Sequence, residues 1–277
     1  DLPVARPGRF LHSRPNAGAG AVISLWLGGD SSPLPLRCHQ DADANHLHYY
    51  LSMHIPDGFI DIPTSVAFAG IAAAGVAVSL KGARASLDEK TAPLAGLTAT
   101  FIFAVQMINF PVAAGTSGHL LGGALAAILV GPWVATLALT VVLILQALLF
   151  ADGGLSALGL SVFNMSLIGV WIGYGAFLLV KKVLPKNKSS ISIAAFIAGL
   201  ISVPVAAAGF VLQYAIGGTA TFSVSAVLAA MVGTHILIGI GEGIISALAV
   251  GAVMASRSDL VYGYRGEKVT LEMRKSQ

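Results

Sequence analysis

Residues 191–214 read ISIAAFIAGLISVPVAAAGFVLQY, without a single acid or base. A helix needs ~20 apolar residues to cross bilayer hydrocarbon, so this stretch alone is long enough to span. The absence of charge extends well beyond it. From Ser189 to Ser256 the only acid or base is Glu242, and between Lys90 and Lys181 the only one is Asp152. Over the full 277 residues, 56% are hydrophobic, 10% are charged and 32 are glycine, with a mean hydropathy of +0.81. Soluble globular chains carry about 25% charged residues. An ordinary soluble enzyme is excluded, and the class is polytopic membrane protein.

Apolar segments lie near 62–80, 91–110, 113–130, 133–150, 160–180, 191–214 and 227–254. They predict an all-α membrane bundle of about seven transmembrane helices. Seven spans alternate sides, which places Lys81, Arg84 and Lys90 on one side with Lys181, Lys182, Lys186 and Lys188. Arg257, Arg265, Lys268, Arg274 and Lys275 fall on that side too, while the connections near 111–118, 151–159 and 215–226 contain no Lys or Arg. Basic loops stay inside, so the carboxyl terminus is expected to be cytoplasmic and Met53 extracytoplasmic. The net charge of +3 is small, and its clustered placement orients a membrane protein without suggesting a nucleic-acid face.

Two connections carry more information. Gly131-Pro132-Trp133 reads as a tight turn with its indole at interface depth. Residues 109–118, NFPVAAGTSG, are polar and glycine-rich between apolar segments. Irregular backbone at membrane depth persists only where protein or water covers it, so 109–119 is expected to fold inward as a re-entrant loop.

Residues 1–52 have a different character. They hold Arg6, Arg9, Arg14 and Arg37, Asp30, Asp41 and Asp43, and His12, His39, His46 and His48. Their apolar run, Ala17 to Gly29, is too short to span and resembles the core of a secretory signal with a basic flank. Directly before Met53, Tyr50-Leu51-Ser52 puts a bulky ring where a small-x-small cleavage site needs a small side chain. We therefore expect 1–52 to be an extension that is disordered, cleaved or misread as coding, and 53–277 to be the working membrane domain. The one cysteine, Cys38, excludes a disulfide framework and a thiolate cluster.

After the extension only His54, His119 and His235 remain, and Glu242 is the one deeply placed acid. Ionisable groups inside a membrane are costly and mark function by default. His54 stands in Met53-His54-Ile55-Pro56-Asp57-Gly58. If Met53 is the mature terminus, its amine, the next amide nitrogen and His54 Nδ1 close two fused chelate rings on one metal. Three coplanar nitrogens suit Ni(II), Co(II) or Cu(II) better than tetrahedral Zn(II). His119, expected on the same outer side, is the natural fourth donor, and Asn109, Thr116 and Ser117 can hold its second ring nitrogen. A terminal Met-His is a weak motif by itself: a solvated interface His54 and a backbone-bonded His119 remain open readings.

His235 and Glu242, seven residues apart, share one helix face. A polar contact that locks helix packing or steadies the binding loops is preferred to a proton relay. Asp57-Gly58 is expected to turn or cap the entry of the first helix, and Asp152 to be a turn acid. The small residues Ala69, Gly70, Ala73, Ala74 and Ala77 permit close helix approach, internally or by a partner subunit. No nucleotide-binding G-x-x-x-x-G-K-[ST], H-E-x-x-H or G-x-S-x-G occurs, so an enzyme is not expected and any ATP hydrolysis falls to another chain.

Several motifs in order resemble one family. Met53 to Phe59 (MHIPDGF), Pro111 to Gly123 (PVAAGTSGHLLGG), Gly131-Pro132-Trp133, Gln146-Ala147-Leu148, Phe150 to Gly154 (FADGG), Phe163-Asn164-Met165 and His235 to Glu242 (HILIGIGE) are similar to the CbiM/NikM proteins. These are the substrate-binding membrane (S) components of cobalt and nickel energy-coupling factor (ECF) transporters. The resemblance implies a seven-helix S component that captures Co(II) or Ni(II) as substrate, without an organic cofactor, in the cell membrane of a prokaryote. It also implies a transmembrane coupling (T) subunit, two ATPase subunits and often a small accessory membrane protein, with cobalt destined for cobalamin biosynthesis. Carried over, it makes Met53, His54 and His119 the metal ligands. The alternative class is a proton-coupled secondary metal transporter or channel using His235 and Glu242.

Overall fold

The chain divides into two units, Asp1–Ala42 and Asp43–Gln277. The structure, a computed structural model, describes residues 54–264 apart from 88, 90 and 113–115, and it leaves out the side chains of 109–117. The expected extension at 1–52 therefore lies outside the described residues, as does Met53.

Each apolar segment read from the sequence contains a helix, in the expected order. These are α1 (Ile62–Arg84), α2 (Thr91–Gln106), α3 (Gly123–Val130), α4 (Pro132–Leu149), α5 (Leu158–Val183), α6 (Lys188–Gly217) and α7 (Val224–Arg257). Five of them, α1 and α4 to α7, are long and apolar enough to cross a membrane, and α2 is a shorter apolar helix. Their starts follow ordinary capping chemistry, in which a side-chain oxygen accepts an amide of the first turn. Asp61 accepts from Thr64 at 2.8 Å, Asn187 from Ser190 at 2.8 Å and Ser223 from Ala226 at 3.3 Å. Thus Asp61, not Asp57, caps the first helix. The outward faces stay apolar: Val66, Leu179, Leu237 and Leu248 are all at least 65% exposed. In a bundle of this kind those side chains meet lipid.

The segment expected as a span at 113–130 is different. Asn109–Val112 (β1) and Thr116–His119 (β2) form an antiparallel hairpin, with Asn109 opposite His119. After a few extended residues comes α3, only eight residues long, or about 12 Å at 1.5 Å per residue. The Gly-rich polar stretch supplies the hairpin, and Gly122, at φ +75°, admits the sharp entry into α3. Every residue of α3 is buried, as expected of a helix that is apolar all round. It is the central post of the bundle, surrounded by α2, α4, α5, α6 and α7.

Two ends can be distinguished by contacts. At one, Gly82 lies against Trp133, Gly131 against Tyr262, and Lys181 Nζ donates to the Gly263 carbonyl at 2.6 Å. The basic residues Lys81, Arg84, Lys181, Lys182 and Arg257 close helices there. Gly131 alone separates α3 from α4, which is the tight turn expected. At the other end, residues 54–60 lie against the loops that follow α4 and α6: Gly154 N–H donates to Ile55 at 2.9 Å and Thr219 N–H to Phe59 at 3.1 Å.

The long α6 and α7 form a hairpin whose axes come close at Gly199 and Gly243. A Cβ on Gly199 would stand 3.0 Å from Gly243 backbone, and one on Gly243 would stand 2.7 Å from the Phe196 carbonyl. Gly243→Val should therefore overpack this contact, costing about 1–3 kcal/mol. Thermal unfolding in detergent is expected to fall by several degrees, whereas Gly175→Val, at an open position, should leave it unchanged.

Candidate metal centre

His54 is held at the mouth of the bundle by the loop between α4 and α5. Gly153 sits at φ +90°, and a Cβ there would be 2.5 Å from His54 Cβ. The backbone therefore packs directly on the histidine stem, in a conformation that glycine adopts without cost. Asp57 Oδ1 accepts the Ser156 N–H at 2.8 Å and the Ser156 hydroxyl at 2.5 Å. These bonds, the hydroxyl's foremost, hold the Asp57 carboxyl below its usual range. Because the shift is downward, the tie persists through neutral pH and is lost only as pH falls through the lowered pKa. Asp57 thus fastens the 54–58 segment to the opposite loop. Asp152, expected as a turn acid, is in that loop, and it is buried.

His119 ends β2 and is 5% exposed. Its Nδ1 lies 2.8 Å from the Leu120 carbonyl, which can only accept, so Nδ1 carries the proton and Nε2 presents its lone pair. His119 Nε2 faces His54 Nδ1 at 3.1 Å, and the ring centroids are 4.8 Å apart with planes tilted by 43°. Two histidines 65 positions apart are thus brought nitrogen to nitrogen.

Behind them runs a chain of buried amides. His54 Nε2 is 3.0 Å from Gln146 Oε1, Gln146 Nε2 donates to Gln106 Oε1 at 3.0 Å, and Gln106 Nε2 donates to the Leu121 carbonyl at 2.7 Å. Both glutamines are fully buried. Glu242, 2% exposed, completes the surroundings: Oε2 accepts the Leu121 N–H at 2.6 Å and Oε1 the Gly122 N–H at 3.0 Å. These are two of the peptides that enter α3, where a helix leaves its first amides unpaired and favours negative charge.

The sequence-derived candidates separate accordingly. His54 and His119 come together. Met53 lies outside the described residues. Asn109, Thr116 and Ser117 are placed in the hairpin by their backbone alone, and His119 Nδ1 finds the Leu120 carbonyl. Glu242 accepts the Leu121 and Gly122 amides of the loop after His119. His235 Nδ1 lies 2.6 Å from the Met231 carbonyl of its own helix, so the two residues bond in different directions. Gln106 was missed, and Gln146 entered only within a resembling motif. The available signal was a fully polar amide inside an apolar span. Among the described residues no group of three or more His, Cys, Asp or Glu gathers.

Gly153→Ala would drive a methyl into His54 and separate the two rings. We expect divalent-metal affinity to fall roughly tenfold or more, the size of effect seen when supports of metal ligands are removed. Nickel(II) titration by calorimetry checks this.

Comparison with known proteins points the same way. The family described as cobalt uptake substrate-specific transmembrane region, CbiM, matches residues 54–260. The cobalt transport protein CbiM of Sorangium cellulosum is 33% identical over 216 residues, covering 76% of this chain and 94% of that protein. A protein of Archaeoglobus fulgidus, provisionally named a fused nickel transport protein NikMN, is 39% identical over 209 residues, covering 76% of this chain and 68% of that one. The crystal structure of a truncated transition metal transporter is similar with a TM-score of 0.66 and 31% identity, covering 73% of this chain and 99% of that chain. A helical membrane bundle with two histidines converging beside α3, matched over most of its length by cobalt and nickel transport proteins, belongs to the CbiM family.

Proposed function

We propose that this protein is the substrate-capture subunit of an ATP-driven ECF-type importer, binding Co(II) or Ni(II) from the extracytoplasmic side at a planar nitrogen site. The observation that carries the reading is the 3.1 Å approach of His54 Nδ1 and His119 Nε2. Two nitrogens each ~2.0–2.1 Å from one ion stand about 3 Å apart when they are neighbours in its coordination plane. The rings therefore already have the spacing of adjacent ligands. The remaining donors are the His54 amide nitrogen and the Met53 amine, which requires Met53 to be the mature terminus and residues 1–52 to be absent from the working protein. Neutral nitrogen and amide donors suit Ni(II) and Co(II).

The site lies at the end of the bundle opposite the basic helix ends. By the positive-inside rule that supports an extracytoplasmic mouth, a cytoplasmic carboxyl terminus and residence in a prokaryotic cell membrane. The chain has no nucleotide-binding motif, so the driving energy comes from partners: a transmembrane T subunit and two ATPase subunits, with a small accessory membrane protein. The provisional naming of the Archaeoglobus relative as a fusion supports a partner of this last kind. A proton-coupled carrier built on His235 and Glu242 fits less well, because both Glu242 oxygens are occupied by peptide N–H groups.

His119→Ala is expected to abolish tight metal binding and cellular uptake; retention of both would remove His119 from the site. Chain beginning at Met53 should bind nickel(II) far more tightly than chain with one extra residue ahead of it. Equal affinities in the calorimeter would eliminate the terminal amine as a ligand.

A further inference from the structure

We propose that Gln106 and Gln146 are positioning residues that set which nitrogen of His54 carries its proton, an inference that rests on the metal-capture reading above. An amide side chain can face either way, and an imidazole can hold its proton on either nitrogen, so each orientation needs an external reference. Here the reference is the Leu121 carbonyl, which has no hydrogen to give. Gln106 must therefore turn its NH2 toward Leu121, at 2.7 Å. That leaves Gln106 Oε1 to face Gln146, which must offer its own NH2, at 3.0 Å. Gln146 Oε1 then faces His54 Nε2 at 3.0 Å and requires an N–H there. Along the amide links only one orientation avoids setting donor against donor or acceptor against acceptor. It leaves the lone pairs of His54 Nδ1 and His119 Nε2 facing each other at 3.1 Å, a repulsion that a shared cation relieves.

The consequence falls on the far side of the ring. With its proton held on Nε2, His54 turns the Nδ1 lone pair toward His119 Nε2, 3.1 Å away. His119 is set in the same manner and more directly, because its Nδ1 donates to the Leu120 carbonyl at 2.8 Å. Two consecutive peptide carbonyls thus dictate both tautomers, Leu120 at first hand and Leu121 through two side chains. Glu242 holds this reference in place by accepting the N–H of Leu121 and of Gly122.

A purely structural role, tying α2 to α4, would not depend on this polarity. The two roles separate experimentally in the full chain in detergent, labelled with 15N-histidine and free of metal. Long-range proton–nitrogen correlation spectra then report the tautomer, and nickel(II) titration reports affinity. In the unsubstituted protein we expect His54 protonated on Nε2. Gln146→Leu should lose that preference and bind nickel(II) roughly 10–100-fold more weakly, as for other groups that orient metal ligands. Gln146→Glu, with the carboxyl protonated on the oxygen that meets Gln106 Oε1, keeps a donor toward Gln106 and an acceptor toward His54, and it should keep the Nε2 proton and recover most of the affinity. Gln106→Leu supplies a second break in the chain should Gln146→Leu fail to fold. An unchanged His54 Nε2 proton and affinity in the leucine variants would overturn the proposal, as would a His54 Nε2 without its proton in the unsubstituted protein. Failure of the unsubstituted protein to bind nickel(II) would instead overturn the metal-capture reading.

Discussion

Burying the peptides between His119 and Gly123 inside an apolar bundle creates an obligation that shapes everything around them. Without water, each N–H and carbonyl there needs a protein partner, and an unmet one costs about 1–3 kcal/mol. An ordinary transmembrane helix meets that obligation within itself. Here the chain enters as a hairpin, runs extended and begins its helix only at Gly123. The free amides and carbonyls are met from three directions: Glu242 on α7, Gln106 on α2 and the ring of His119 itself. The one deep acid and the buried Gln106 are thereby explained by a single break in helical structure, and Gln146 follows as the partner of Gln106.

That break is also what makes a site possible. The extended segment presents His119 to the mouth of the bundle, while Gly153 and the Asp57–Ser156 tie seat His54 against it. In the proposed metal site, the two ring nitrogens at 3.1 Å already have ligand spacing, which would leave little reorganisation for binding. The site touches elements from both halves of the chain, with α7 joined to it through Glu242. A displacement of α7 relative to α3 would disturb the Leu121 and Gly122 peptides that Glu242 holds.

Much of this arrangement was legible in the residues. Charge is so sparse that the apolar segments stand out one after another, and Asn109–Gly118 announced a departure from helix by composition. The shortness of α3 was not legible, because residues 120–130 are continuously apolar and nothing marks where helix begins. Asp57-Gly58 was expected to turn or cap the entry of the first helix; it makes the turn, and Asp61 stands closer to the first turn of the helix and caps it. The glutamines were hidden for a different reason. A Gln within an apolar span has many possible partners, and only the three-dimensional register aligns Leu121, Gln106, Gln146 and His54 in one line. Pairing His54 with His119 was readable as chemistry. The mutual orientation of their rings depends on neighbours that no spacing rule identifies.

The central claim is that one divalent ion is held by nitrogens of His54 and His119. X-ray absorption at the nickel edge, on the metal-loaded protein, tests it most directly. The account predicts four nitrogen neighbours in a planar arrangement, with outer-shell scattering from two imidazoles. Six-coordinate oxygen-rich scattering, or scattering from a single imidazole, would contradict it.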